Sequence, residues 1–167
     1  MVIAMSLPKR KSNRLKDYDY SSSGAYFITI CTKNKQKILC DIVRVDDLGD
    51  PIIRLTEIGK IVERYIISAN KIDNITVEKY VVMPNHIHII VSVDNSGGSP
   101  RSSTLTSATI PNMVSTFKRF VNAEVGENVF HRSYYDHIIR DEKDYLRIWD
   151  YIDTNPAKWA DDCYYST

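Results

Sequence analysis

The chain has 167 residues, 43% of them apolar and 26% charged, the composition of one soluble globular domain with enough length for a core. No apolar run nears the ~20 residues of a membrane span, the charges of "MVIAMSLPKRKSNRLK" follow its apolar residues in the reverse of signal-peptide order, and three scattered cysteines (Cys31, Cys40, Cys163) fit a reducing cytosol rather than a disulfide or Cys-ligated zinc framework. Net charge is +1, yet eight basic residues against Asp17 and Asp19 give the segment from Lys9 to Lys37 a charge of +6 and leave −5 for the rest; a polyanion footprint and a solvated basic tail are both open.

Residues 1–22 are polar and basic and read as an irregular arm. "AYFITICT" (25–32) is aromatic and β-branched, a strand, and "ILCDIVRV" is a weaker extended segment ended by "DDLGDP". "LTEIGKIVERYIISANKI" follows, with Thr56 as N-cap and Ile58, Ile61, Val62, Tyr65 and Ile66 at helical spacing. "TVEKYVVM" (76–83) and "HIHIIVSV" (86–93) read as two strands, since Pro84 is poorly tolerated inside one. Residues 94–108 are rich in Ser and Gly and read as a flexible loop. "IPNMVSTFKRFVNAEVG" is a second amphipathic helix closed by Gly126, "VFHRSYYDHIIR" is largely β-like, and "DEKDYLRIWDYIDTNPAKWADD" is a third helix with acids in its first turn and Pro156 disturbing it. The order implies an α+β fold: one domain with a ferredoxin-like antiparallel sheet, helices mainly on one face, and the 76–93 hairpin in mid-sheet.

His86 and His88 carry the first chemical signal. On a strand, side chains two apart leave the same face, so both imidazoles reach one ion, a half-site for zinc, manganese or magnesium-type chemistry. The plain alternative is two hydrogen-bonded polar residues at a strand start. His131 and His137 are candidates for a third ligand. Tyr151 and Asn155 lie four apart, which on a helix puts a phenol and an amide on one face. Core packing for Tyr151 and C-capping for Asn155 are the competing readings, and Asn155 precedes Pro156, which biases its backbone away from the α region.

The blocks "YDYSSSGAYFITICT", "YVVMPNHIHIIV", "STFKRF" and "YYDHIIRDEKDYLRIWDYIDTNPAKW", in that order from about residue 9 to about residue 160, resemble the one-tyrosine transposases of small bacterial insertion sequences. Within them "MPNHIH" resembles the His–hydrophobic–His motif of the HUH nucleases, and the whole is most similar to the REP-associated tyrosine transposases. The resemblance implies that His86 and His88 are metal ligands, Tyr151 the nucleophile and Asn155 a polar third ligand, with a divalent cation, Mg²⁺ or Mn²⁺, as cofactor. It implies a cytoplasmic single-strand DNA endonuclease and strand transferase acting at hairpin or repeat DNA through a 5′-phosphotyrosine, as a monomer or homodimer and with no membrane partner.

DNA contacts are expected from Lys9, Arg10, Lys11, Arg14 and Lys16 of the arm and from Lys118 and Arg119 of the second helix. Tyr18, Tyr20 and Tyr26 interleave with the basic segment as candidates for stacking on unpaired bases. Two other functions compete: a DNA-hairpin-binding protein on the same scaffold without cleavage, and a small-molecule metallohydrolase with zinc on His86 and His88. The second normally wants a third histidine or a carboxylate, and the basic segment suits it poorly.

Overall fold

The computed structural model describes residues 22–43, 51–95 and 109–164. The arm residues Lys9 to Tyr20 and most of the Ser/Gly-rich loop lie outside them. Strand β1 (Gly24–Cys31) is followed by a short hairpin of β2 (Cys40–Val43) and β3 (Ile52–Leu55), then helix α1 (Glu57–Ser68). A long hairpin of β4 (Ile75–Met83) and β5 (His86–Val93) leads through the loop to α2 (Thr109–Val125), then β6 (Tyr135–Ile139) and α3 (Glu142–Thr154). The main sheet is antiparallel throughout, in the order β4-β5-β1-β6. With the β2–β3 hairpin set aside, β1-α1-β4-β5-α2-β6 is the ferredoxin-like β-α-β-β-α-β succession.

Local chemistry sets these elements. Thr56 caps α1, its Oγ1 accepting from Gly59 N at 3.0 Å and donating to Ile38 O at 2.6 Å. Gly59 is required because a Cβ there would meet Leu39 O at 1.9 Å. Gly126, at φ +87°, ends α2 in the left-handed region. Asp141 caps α3 by accepting from Asp144 N at 2.8 Å.

The sheet is covered on both faces. Ile28, Ile30, Ile87, Ile89 and Val91 pack against Val62 and Ile66 of α1 and Met113, Val114, Phe117 and Val121 of α2. On the other face Phe27, Val81, Met83 and Ile90 pack against Ile148 and Ile152 of α3. Burial on both sides explains why β5 reads as a nearly unbroken apolar run rather than an alternation. Among the described residues no helix is long and apolar enough to cross a membrane.

Several boundaries differ from the sequence expectation. The 76–93 hairpin is not central: β5 and β1 occupy the middle and β4 is an edge. Strand β3, Ile52–Leu55, has no counterpart in the sequence pattern. The last strand keeps only Tyr135–Ile139, with Phe130 bridging to Thr32 alone. The third helix stops at Thr154, after which Pro156 turns the chain into a short 3₁₀ segment, Trp159–Asp161.

Candidate active site at the histidine pair

The tight turn Pro84-Asn85 brings β5 back along β4, so that Met83 faces His86 and Val81 faces His88. His86 and His88 emerge on the α3 side of the sheet, 0% and 1% exposed. Their Nε2 atoms are 3.0 Å apart. Asn85 accepts from His86 Nδ1 at 2.8 Å; because an amide oxygen only accepts, the Nε2 of His86 keeps its lone pair. His88 Nδ1 lies 2.8 Å from Thr29 Oγ1, its cross-strand partner. When Nδ1 is the donor in that bond, both Nε2 lone pairs converge on one point, as a bound cation requires.

Burial pushes both imidazoles down, His86 to about 4 despite the opposing charge of Asp162, and His88 well below its ordinary value by burial and the neighbouring His86. Both are therefore neutral near pH 7, the ligand form. A third donor comes from beyond α3. Asp162 brings its Oδ2 to 4.0 Å from His86 Nε2, and ligand atoms of His86, His88 and Asp162 all lie within 4.8 Å of one another.

Tyr151 stands one wall away on α3, its hydroxyl 3.3 Å from His88 Nε2 and its ring edge-on to Phe27. Burial first, and then the charge of Asp162, push its phenol up to about 12. Asn155, one turn on, is 3% exposed and takes αR backbone angles (φ −57°, ψ −44°) in spite of Pro156. It donates from Nδ2 to Asp162 Oδ2 at 3.0 Å, while its Oδ1 is buried without a hydrogen-bond partner among the described residues. A buried orphan acceptor beside a carboxylate and two imidazoles fits a donor set that a divalent cation would satisfy.

Other candidates fall elsewhere. His131 is exposed and bonds to Ser133 at 2.9 Å, and His137 pairs with Asp144 at 2.6 Å, so neither joins the histidine pair. Tyr26 is not available for stacking: it is 0% exposed, in the α1/α2 core, and donates to Ser22 O at 2.8 Å. Lys118 directs its ammonium to the carbonyls of His131, Arg132 and Ser133, at 2.8–3.3 Å, while Arg119 is exposed. Asp162 and Asn85 were missed. Asn85 was visible in the sequence as the residue preceding His86; Asp162 carries no periodic signal, since only the turn after Pro156 brings it back.

Comparison with known proteins gives the family and the fold. The family model described as "Transposase IS200 like" matches residues 20–155. An uncharacterized protein of Haemophilus influenzae is 37% identical over 173 residues, covering 93% of each chain. A solved structure of a REP-associated tyrosine transposase bound to a REP hairpin is 22% identical, with a TM-score of 0.59, over 93% of this chain and 74% of that one, a likeness of fold. The family match spans His86, His88, Tyr151 and Asn155 alike, and the chain belongs to the IS200-like transposase family.

Proposed function

We propose that this protein is a metal-dependent single-strand DNA endonuclease and strand transferase that acts at hairpin or repeat DNA through a 5′-phosphotyrosine on Tyr151. The observation that carries this reading is the phenol hydroxyl standing 3.3 Å from one of two buried, neutral imidazoles whose Nε2 atoms are 3.0 Å apart. His86 and His88 would hold the cation, with Asp162 and Asn155 as the oxygen donors beside them. When bound, Mg²⁺ or Mn²⁺ supplies a Lewis acid for a non-bridging oxygen of the scissile phosphate and a positive charge beside the phenol.

The chain's own residues do the rest. Asn85 and Thr29 fix the orientation of the imidazoles. Tyr151 gives up its proton to solvent as its oxygen bonds to phosphorus, and the P–O3′ bond breaks, the departing oxygen taking up a proton from solvent to leave as a 3′-hydroxyl. Attack by another 3′-hydroxyl reverses the step and joins strands without ATP. Burial first, and then the charge of Asp162, keep the Tyr151 phenol protonated near pH 7, so its proton has to leave as the oxygen attacks. DNA is the expected partner on family grounds, and the hairpin carried by the structural neighbour suggests the same class of substrate. The arm residues Lys9, Arg10, Lys11, Arg14 and Lys16, with Arg119, are the proposed phosphate contacts; Lys118 shapes the loop it binds.

The test is incubation with hairpin-bearing single-stranded DNA and Mg²⁺ or Mn²⁺, followed by a denaturing gel. A covalent protein–DNA band that needs the metal, survives in Tyr135→Phe and vanishes in Tyr151→Phe is the expected result. Tight binding with no band on any hairpin would favour a silent hairpin-binding protein.

A further inference from the structure

The space in which Tyr151 stands extends past the histidine pair to the edge strand. It encloses about 260 Å³, and beyond Phe27, His88 and Tyr151 its far wall is Tyr135, His137 and Arg147. Strand register explains the layout. Thr29 pairs with His88 on one side and Tyr135 on the other, and Phe27 pairs with Ile90 and His137. Tyr135 and His137 therefore share the face of the histidine pair, with Tyr135 two strands from His88, about 10 Å across the sheet.

This far wall is built and unused by the transfer step. Tyr135 is 49% exposed on an edge strand. Asp144, one helical turn before Arg147 and Ile148 and two before Tyr151, takes His137 Nε2 at 2.6 Å and Arg147 at 2.5 Å. That pairing holds an imidazole and a guanidinium at the cavity rim and leaves the other Arg147 donors, on a side chain 67% exposed, free for an anion. An exposed aromatic face, an oriented imidazole and an arginine together suit one unpaired nucleotide: the ring stacks the base and the arginine meets a phosphate. The volume, below the ~300–1,000 Å³ of drug-sized sites, suits a single base.

We propose that the cavity bounded by Tyr135, His137 and Arg147 is a subsite for a single unpaired deoxynucleotide adjoining the scissile phosphate. The proposal rests on the strand-transferase reading, and its test separates the two. The cleavage position is mapped first with wild-type protein. Hairpin oligonucleotides carrying 2-aminopurine at the nucleotide on either side of that position are then bound to full-length Tyr151→Phe protein, and fluorescence is read.

Quenching of several-fold at one flank is expected. It should be lost when Tyr135→Leu is added and retained with Tyr135→Phe. Adding Arg147→Gln should lower the salt slope of log Kd by about 1. A merely structural Asp144 clip would move none of these readouts. Wild-type adduct without quenching at either flank, or quenching unchanged in Tyr135→Leu, removes the subsite and leaves the transferase reading standing. No adduct on any hairpin removes both.

Discussion

One eight-residue strand carries two different regions of this molecule. Ile87, Ile89 and Val91 of β5 face α1 and α2 in a largely apolar core, while His86 and His88, interleaved with them, face α3 among Thr29, Asp162 and Tyr151. Both sets are buried to within a few per cent. The difference lies in what surrounds them: one face fills space, and the other spends buried volume on oriented nitrogen and oxygen atoms. Burial costs such atoms their solvation, which Asn85 and Thr29 offset on the Nδ1 side of each ring. The α1/α2 face should therefore govern stability and the α3 face chemistry.

The largest expected separation is between Tyr151→Phe and Ile87→Ala. Tyr151→Phe should suppress adduct formation by on the order of 10³-fold or more with only a small change in the urea midpoint, because the ring is 37% exposed and stays while the hydroxyl alone is lost. Ile87→Ala should do the reverse, costing about 2–5 kcal/mol in urea unfolding with adduct formation retained wherever the protein is folded. Equal effects of both substitutions on both measurements would dissolve the distinction between the faces.

A smaller effect sharpens the account of the polar face. Thr29→Val keeps the shape of a buried strand residue and removes the partner of His88 Nδ1. Titration calorimetry with Mn²⁺ should show roughly 10- to 100-fold weaker binding, and an unchanged affinity would mean that Thr29 does not orient the ring.

The smallest effect is the pH dependence of the metal-free protein. His86 protonates near 6.5 when unfolded and at about 4 when folded, and His88 lies well below 6.5. Below about pH 6.5 the unfolded chain thus binds more protons, so stability from this pair is full above that value and is lost as pH falls towards 4. Urea midpoints in EDTA should drop from pH 7.5 to pH 5, and the drop should shrink in a His86→Leu/His88→Leu variant.

The sequence made some of this legible and hid the rest for physical reasons. Spacing of two on a strand sufficed to put His86 and His88 on one face, and spacing of four brought Tyr151 and Asn155 to one side of α3. The parity that pairs Tyr26 with Ile28 and Ile30 already assigned it to the core; its basic neighbourhood suggested otherwise, but alternation decides which way a strand side chain points. Asn155 kept helical angles before Pro156 because the α region is disfavoured there rather than forbidden, and burial with a bond to Asp162 outweighs the bias. Asp162 and the short strand β3 depend on turns that set distant segments together, which no local period encodes.

Peptide mapping by mass spectrometry of the protein–DNA adduct, formed with Mg²⁺ on a hairpin oligonucleotide and digested, tests the central claim most directly. The account predicts a 5′-phosphonucleotide on Tyr151 alone; attachment to Tyr134, Tyr135 or Tyr164, or an adduct that forms equally well in EDTA, would contradict it.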